Sequence, residues 1–265
     1  MPTIKVNDIS LFYELHGQET APLLVLNNGI LMNTASWVYQ KDALARRYRL
    51  LLYDCRGQGQ SQHSAAAYSM EQHAADLAGL LDALELPAAH IAGISYGGEV
   101  AQAFALAYPA RTQSLILADT VSEVGPELAL CIQSWLAAAR LADADLFFET
   151  TTPWNFSLEF IAANPELFAQ SRRRYRELDY PAVVRLCEAF LQVDFTGRLS
   201  EIQAPTCILV GGEDKLKGLN YARILQRGIP HAELHILPGA GHASCWEKPE
   251  EFNTIVLGFL AKQPD

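Results

Sequence analysis

The segment Gly93-Ile94-Ser95-Tyr96-Gly97-Gly98 has the residue types needed to present a serine hydroxyl as a nucleophile. A reactive serine on a sharp strand-to-helix turn needs neighbours without side chains. Its oxygen then projects above a sheet at the N-terminus of the next helix. An apolar run, His90–Ile94, leads into this segment, and a helix-forming run, Glu99–Ala107, leaves it. The hydroxyl becomes a useful nucleophile only when a base takes its proton and a carboxylate orients that base. On such a turn the partners follow in the order acid, then histidine. Asp214 follows the apolar run Cys207–Val210, and His242 follows Leu234–Leu237 within Pro238-Gly239-Ala240-Gly241-His242. Both are thus expected in loops at the carboxyl ends of strands. Asp119 also ends an apolar run and competes as the acid, with Glu213 a more distant third. His16, His63, His73, His90, His231 and His235 lack an upstream carboxylate loop or lie within an element, and read as structural or exposed.

The tetrahedral adduct of such a serine carries a negative oxygen, which two backbone N–H groups must meet. Tyr96, directly after the nucleophile, supplies one. The loop Asn27–Asn33 supplies the other at Ile30, because Gly29 permits a turn that points the next N–H inward. A second glycine-rich run, Asp54-Cys55-Arg56-Gly57-Gln58-Gly59-Gln60-Ser61, follows an apolar run but opens no helix, so it is no dinucleotide cradle. It reads as a structural turn in which Asp54 pairs with Arg56, and nothing near Cys55 lowers its thiol pKa.

Short apolar runs alternate with helical patterns, the trace of a mainly parallel sheet flanked by helices. Ile4–Val6 and Ile9–Leu15 read as a hairpin turned at Asn7-Asp8. Leu23–Leu26, Leu50–Tyr53, His90–Ile94, Leu115–Ala118, Cys207–Val210 and Leu234–Leu237 read as strands. A helix starts at Ser69, where Ser69-x-x-Gln72 makes a capping box, carries the stripe Met70, Ala74, Leu77, Leu81 and Leu84, and stops before Pro87. The alternation lapses between about Val121 and Arg198, where Leu128–Arg140, Pro165–Leu178 and Pro181–Val193 are helix-forming. Residues 121–198 are therefore expected as a helical cap inserted into a core of residues 1–120 and 199–265. The cap would lie over the carboxyl edge where open α/β sheets bind ligands.

The 265 residues are 50% hydrophobic and carry a net charge of −10. That surface repels phosphate backbones, so no nucleic-acid partner is expected. Five scattered cysteines without a C-x-x-C pair fit a reducing compartment. No apolar run approaches the roughly 18 residues that span a bilayer. A cytoplasmic protein without a membrane partner is expected.

With these residues placed, the chain resembles the α/β-hydrolase superfamily over nearly its whole length. The resemblance rests on Asp54-x-Arg56-Gly57-x-Gly59-x-Ser61, Gly93-Ile94-Ser95-Tyr96-Gly97-Gly98, Gly212-Glu213-Asp214, and Gly241-His242 followed by Glu247-Lys248-Pro249-Glu250. It implies an α/β-hydrolase fold with an inserted helical cap, and a Ser95–Asp214–His242 triad that needs neither metal nor organic cofactor. Most members carry His-Gly where this chain has Asn28-Gly29. The loop is similar to that of the 3-oxoadipate enol-lactonase group, which shares a tryptophan at the spacing of Trp37. It is also similar to that of 3-hydroxyacyl-ACP transferases, which share the Thr34-Ala35-Ser36-Trp37 pattern. Asn28 and Trp37, with Trp154 and Phe156 from the cap, are therefore the expected substrate-pocket residues. Phe147, Phe148 and Phe160 either join them or form the cap's own core.

The expected activity is hydrolysis of a carboxylic ester, lactone or thioester through an acyl-enzyme on Ser95. An acyltransferase with the same intermediate and a non-catalytic binding protein on the same fold are the alternatives. The expected partner is a small acyl substrate. A CoA thioester or acyl carrier protein is a further candidate, met by the basic cluster Arg172, Arg173, Arg174 and Arg176 unless that cluster is a solvated helix face.

Overall fold

The computed structural model describes residues 2–263. Its apolar runs pair into one eight-stranded sheet. Strands β1 (Thr3–Val6) and β2 (Ile9–His16) form an antiparallel hairpin. Asn7, at its turn, takes φ +50°, the left-handed conformation that asparagine tolerates better than most residues. The other strands are β3 (Leu23–Asn27), β4 (Arg49–Tyr53), β5 (Ala89–Ile94), β6 (Thr112–Ala118), β7 (Thr206–Gly211) and β8 (Glu233–Leu237). The spatial order is β1-β2-β4-β3-β5-β6-β7-β8, and every pairing from β4 to β8 is parallel. Each expected strand is present, longer than read by one residue at one end, by one at both ends for β7 and by three for β6. β5 is buried along its whole length, which is why it reads as a continuous apolar run rather than an alternating one.

Helices α1 (Lys41–Leu44) and α2 (Met70–Ala83) follow β3 and β4. The Ser69 hydroxyl accepts a hydrogen bond from the Gln72 N–H, so the expected N-cap is formed. The stripe Met70, Ala74, Leu77 and Leu81 is buried. The helix ends at Ala83, short of Pro87, because Glu85 turns the chain at φ +57°. Helix α3 (Tyr96–Ala107) leaves β5 directly and is buried over most of its length.

Five helices occupy the stretch between β6 and β7: α4 (Pro126–Leu141), α5 (Ala144–Asn155), α6 (Leu158–Ala163), α7 (Pro165–Arg174) and α8 (Tyr180–Phe190). Among the described residues this stretch adds no strand to the sheet, and its one bridge joins Glu123 to Asp194. Helix α9 (Leu219–Gly228) follows β7, and α10 (Ser244–Glu247) with α11 (Pro249–Leu260) follow β8. One apolar core, under α2 and α3, continues into α4 and α8 through Ile132, Trp135, Leu186 and Phe190. The other lies on the opposite sheet face, under Leu44 of α1 and Phe252, Val256 and Phe259 of α11. Among the described residues no helix is long and apolar enough to cross a membrane.

Candidate active site

Because β5, β7 and β8 are parallel, the loops after them open at the same edge of the sheet. Ser95 sits on the first of these at φ +52° and ψ −122°, and its N–H donates to the Ala118 carbonyl across the sheet at 2.9 Å. A left-handed backbone at a non-glycine residue costs on the order of 1–3 kcal/mol and persists only where its surroundings hold it. The neighbouring glycines make room. A Cβ at Gly93 would collide with the Gly97 carbonyl, and one at Gly97 with the carbonyl of Asn27.

The three side chains named from the sequence converge here. Ser95 Oγ lies 2.8 Å from His242 Nε2, and His242 Nδ1 lies 2.8 Å from Asp214 Oδ2. All three residues are buried. The second Asp214 oxygen accepts from the backbone N–H groups of Leu216 and Lys217 at 2.8 and 2.9 Å. Burial pushes the Asp214 carboxyl up. The His242 charge and hydrogen bond, with those two N–H groups, more than reverse this and hold it below its ordinary value. An ionised acid beside Nδ1 leaves Nε2 free to accept the serine proton.

Asp119, the competing acid, does not touch His242. Its oxygens accept from Gly211 N–H at 2.8 Å and Ser244 Oγ at 2.5 Å. Burial and then the adjacent Asp214 charge push its carboxyl up to about 7. Glu213 is exposed. Five of the other six histidines are engaged elsewhere, His16 with Glu14, His63 with Asp179, His73 with Tyr96, His90 with Ser114 and His235 with Glu233, and His231 is exposed.

A narrow cavity opens at Ser95, lined by Ile30, Tyr96, Ile132, Trp135, Cys187, Phe190, Leu216 and Lys217. Ile30 and Tyr96, the expected oxyanion donors, thus border the same space as the nucleophile. As the first residue of α3, Tyr96 has an N–H without an intrahelical acceptor. The loop bearing Ile30 differs in detail from expectation. Its left-handed residue is Leu31, at φ +66°, and not Gly29. Gly29 serves close approach instead, since a Cβ there would stand 3.0 Å from Met32 Sδ and 3.5 Å from Ser95 Cβ.

Most of the expected pocket residues are used otherwise. Asn28 and Trp37 are buried and bonded to each other, indole Nε1 donating to Asn28 Oδ1 at 2.7 Å, while Asn28 Nδ2 donates to the Tyr53 carbonyl at 2.9 Å. Neither lines the cavity. They pin the loop that carries Ile30. Phe156 stacks on Phe160 and meets Phe168 edge-on, and Phe147 and Phe148 pack on Tyr175, so these aromatics hold the helices together. Trp154 lines a second, adjoining cleft with Asp214, Lys215, Leu216 and Tyr221.

Arg172 pairs with Asp145 and Glu149 and lies over the Phe148 ring, and Arg176 pairs with Asp145. The expected Asp54–Arg56 pair is not formed. Arg56 is buried between Asp76 and Asp8, while Asp54 accepts from the N–H groups of Thr34 and Gln60. Burial pushes the Cys55 thiol up to about 12, against the lowering effect of its hydrogen bond with Tyr53, so it is no nucleophile.

Sequence reasoning missed a buried ion pair beside Ser95. Lys217 Nζ bonds both oxygens of Glu99, at 2.9 and 3.0 Å. Glu99 also accepts from Val121 N–H at 3.0 Å and Thr120 Oγ at 2.5 Å. Its only trace in the sequence is a lone charge in the otherwise apolar first turns of α3. Among the described residues no cluster of three or more His, Cys, Asp or Glu is arranged to hold a metal ion.

A family model described as the alpha/beta hydrolase fold matches residues 22–249. The chain belongs to the alpha/beta hydrolase family. This hydrolase is 33% identical over 258 residues to a putative carbamate hydrolase, RutD, of Stutzerimonas stutzeri, covering 96% of this chain and 97% of the relative. It is 29% identical over 264 residues to 3-oxoadipate enol-lactonase 2 of Acinetobacter baylyi, covering 98% and 96%. The crystal structure of the enol-lactonase from Burkholderia xenovorans superposes with a TM-score of 0.92 at 28% identity, covering 98% of this chain and all of that one. Family and relatives together support hydrolase activity and an enol-lactonase-like architecture.

Proposed function

We propose that this alpha/beta hydrolase cleaves a small carboxylic ester, lactone or thioester through an acyl-enzyme on Ser95. The observation that carries the reading is the Ser95–His242–Asp214 chain of 2.8 Å hydrogen bonds ending in the cavity. Ser95 Oγ attacks the carbonyl carbon as His242 Nε2 takes its proton. The developing oxyanion is met by the Tyr96 and Ile30 N–H groups at the positive end of α3. His242 then returns the proton to the leaving oxygen or sulfur, and the acyl group stays on Ser95. Water enters, gives a proton to His242, and releases the acid by the same steps in reverse.

The helical segment 121–198 acts as a cap whose α4 and α8 close the acyl cavity. The lining of Ile30, Ile132, Trp135, Phe190 and Leu216, with Lys217, suits a short and mainly apolar acyl group. Arg172 and Arg176 are paired within this segment and Arg173 and Arg174 are exposed, the pattern of a solvated helix face, so the substrate proposed is a free small molecule.

The test is labelling by a fluorophosphonate probe together with hydrolysis of 4-nitrophenyl butanoate and a simple lactone. Labelling should map to Ser95, and Ser95→Ala should lose turnover on the order of 10³-fold or more while keeping its thermal transition. A Ser95→Ala protein within tenfold of wild-type turnover would overturn the proposal.

A further inference from the structure

The acyl cavity is apolar except for Lys217, and this lysine has donor capacity left. Its side chain is 3% exposed and its partner Glu99 is fully buried. Two of its three N–H bonds are committed to the two Glu99 oxygens. Among the described residues the third meets no oxygen acceptor. Nζ lies 4.2 Å from the centroid of Phe190, itself on the cavity wall. Trp135, on the same wall, is 1% exposed, and its indole Nε1 has no hydrogen-bond partner of normal geometry among the described residues. The Cys131 thiol one turn earlier on α4 is a weak acceptor for it. Buried donors are satisfied in native proteins, and an unsatisfied one marks a place where something else binds. The free Lys217 N–H on this small, otherwise apolar cavity asks for an oxygen from the substrate.

The charge of that oxygen follows from Glu99. Its four hydrogen bonds, including the two from Lys217, balance the lysine charge with a carboxylate, so the pair is neutral as a unit. A substrate carboxylate in this space would be a third buried charge with no cation of its own, and burying an uncompensated ion is strongly unfavourable. A neutral carbonyl, hydroxyl or ether oxygen meets the free N–H without that penalty.

We propose that Lys217 is a specificity-determining residue that selects acyl groups carrying a second, uncharged oxygen. The proposal rests on the Ser95 reading above and adds the substrate class. Glu99 holds the ammonium in place. A purely aliphatic acyl group leaves that donor unpaired, whereas an oxo- or hydroxyacyl group satisfies it.

The experiment compares kcat/KM for 4-nitrophenyl esters of pentanoate, 4-oxopentanoate, 3-hydroxybutanoate, butanoate and hydrogen succinate. Proteins compared are wild type, the double variant Lys217→Met/Glu99→Gln and, as a packing control, Cys187→Ser. The double variant removes both charges together, so no ion is left buried alone, and its thermal transition is checked first. Wild type should favour the oxo or hydroxy ester over its aliphatic match by roughly tenfold or more, the value of a hydrogen bond from a charged donor. It should disfavour hydrogen succinate. In the double variant the ratio should fall to near one, whatever happens to the absolute rates, and in Cys187→Ser it should persist. If the double variant does not fold, the wild-type ratios alone decide. Equal wild-type ratios, a preference for hydrogen succinate, or a ratio unchanged in a folded double variant would each overturn the proposal. Turnover that survives Ser95→Ala would instead overturn the underlying serine mechanism, so the two failures are separable.

Discussion

His73 makes acid stability a quantitative test of the packing behind the nucleophile. The imidazole is fully enclosed between Tyr68 and Tyr96, ring centroids 5.9 and 5.3 Å away, and its Nε2 bonds the Tyr96 hydroxyl at 2.8 Å. Burial, and after it the nearby Arg56 charge, push its pKa from an ordinary 6.5 down to about 3. The folded protein therefore holds this ring neutral where the unfolded chain protonates it. A group depressed in this way supports the fold fully above its unfolded pKa, and that support is lost as pH falls from 6.5 toward 3. Each pH unit in the window is worth about 1.4 kcal/mol, so lowering pH from 6.5 to 5 removes about 2 kcal/mol. That is a large share of the roughly 5–15 kcal/mol by which domains are stable. The perturbation is His73→Gln, which cannot titrate. Urea unfolding of both proteins at pH 8, 6.5, 5.5 and 5 gives two stability curves. The contributions of every other carboxylate and histidine are common to both and cancel in the difference. The wild-type advantage, or deficit, relative to His73→Gln should shift against wild type by about 2 kcal/mol between pH 6.5 and 5. Parallel curves over that range would show that the ring is protonated in the folded state, and the enclosed packing under Tyr96 would be wrong.

Three further outcomes follow from the site. Asp214→Asn should lower kcat on the order of 10⁴-fold by removing the acceptor that fixes the His242 tautomer. Asp119→Asn, which touches Gly211 and Ser244 but not His242, should lose far less; equal losses would refute the assignment of the acid. Trp37→Phe leaves Asn28 Oδ1 buried without its 2.7 Å donor. It should cost about 1–3 kcal/mol in unfolding experiments and lower kcat more than it raises KM, because the loosened loop carries Ile30, the proposed oxyanion donor. Gly93→Ala places a methyl against the Gly97 carbonyl and should lower stability by about 2 kcal/mol or more; a melting temperature within a degree of wild type would contradict the tight turn.

The triad was legible because each member is tied to the end of a strand by a few residues of its own chain. Strands are visible as apolar runs, and parallel pairing brings their carboxyl ends to one edge, so Ser95, Asp214 and His242 are placed by local pattern plus topology. Contacts between distant loops had no such local carrier. Arg56 is two residues from Asp54, yet the Asp54 carboxylate turns back onto the Thr34 and Gln60 N–H groups and leaves Arg56 to Asp76 and Asp8. Lys217 and Glu99, 118 positions apart, meet only once β5 and β7 are in register.

The cavity wall was illegible for a different reason. Ile132 and Trp135 stand three apart on α4, and Cys187 and Phe190 three apart on α8, each pair on one helical face. Spacing tells which residues share a face. Which face turns toward Ser95 depends on how the helix is rotated by its neighbours. Aromatic residues do not mark it either: Phe147, Phe156 and Phe160 are as aromatic as Trp135 but are consumed in packing the helices on one another. What separates Lys217 from them is a donor left without an oxygen acceptor in a buried place. That property belongs to the folded arrangement alone, and it is the feature by which this enzyme's substrate is to be sought.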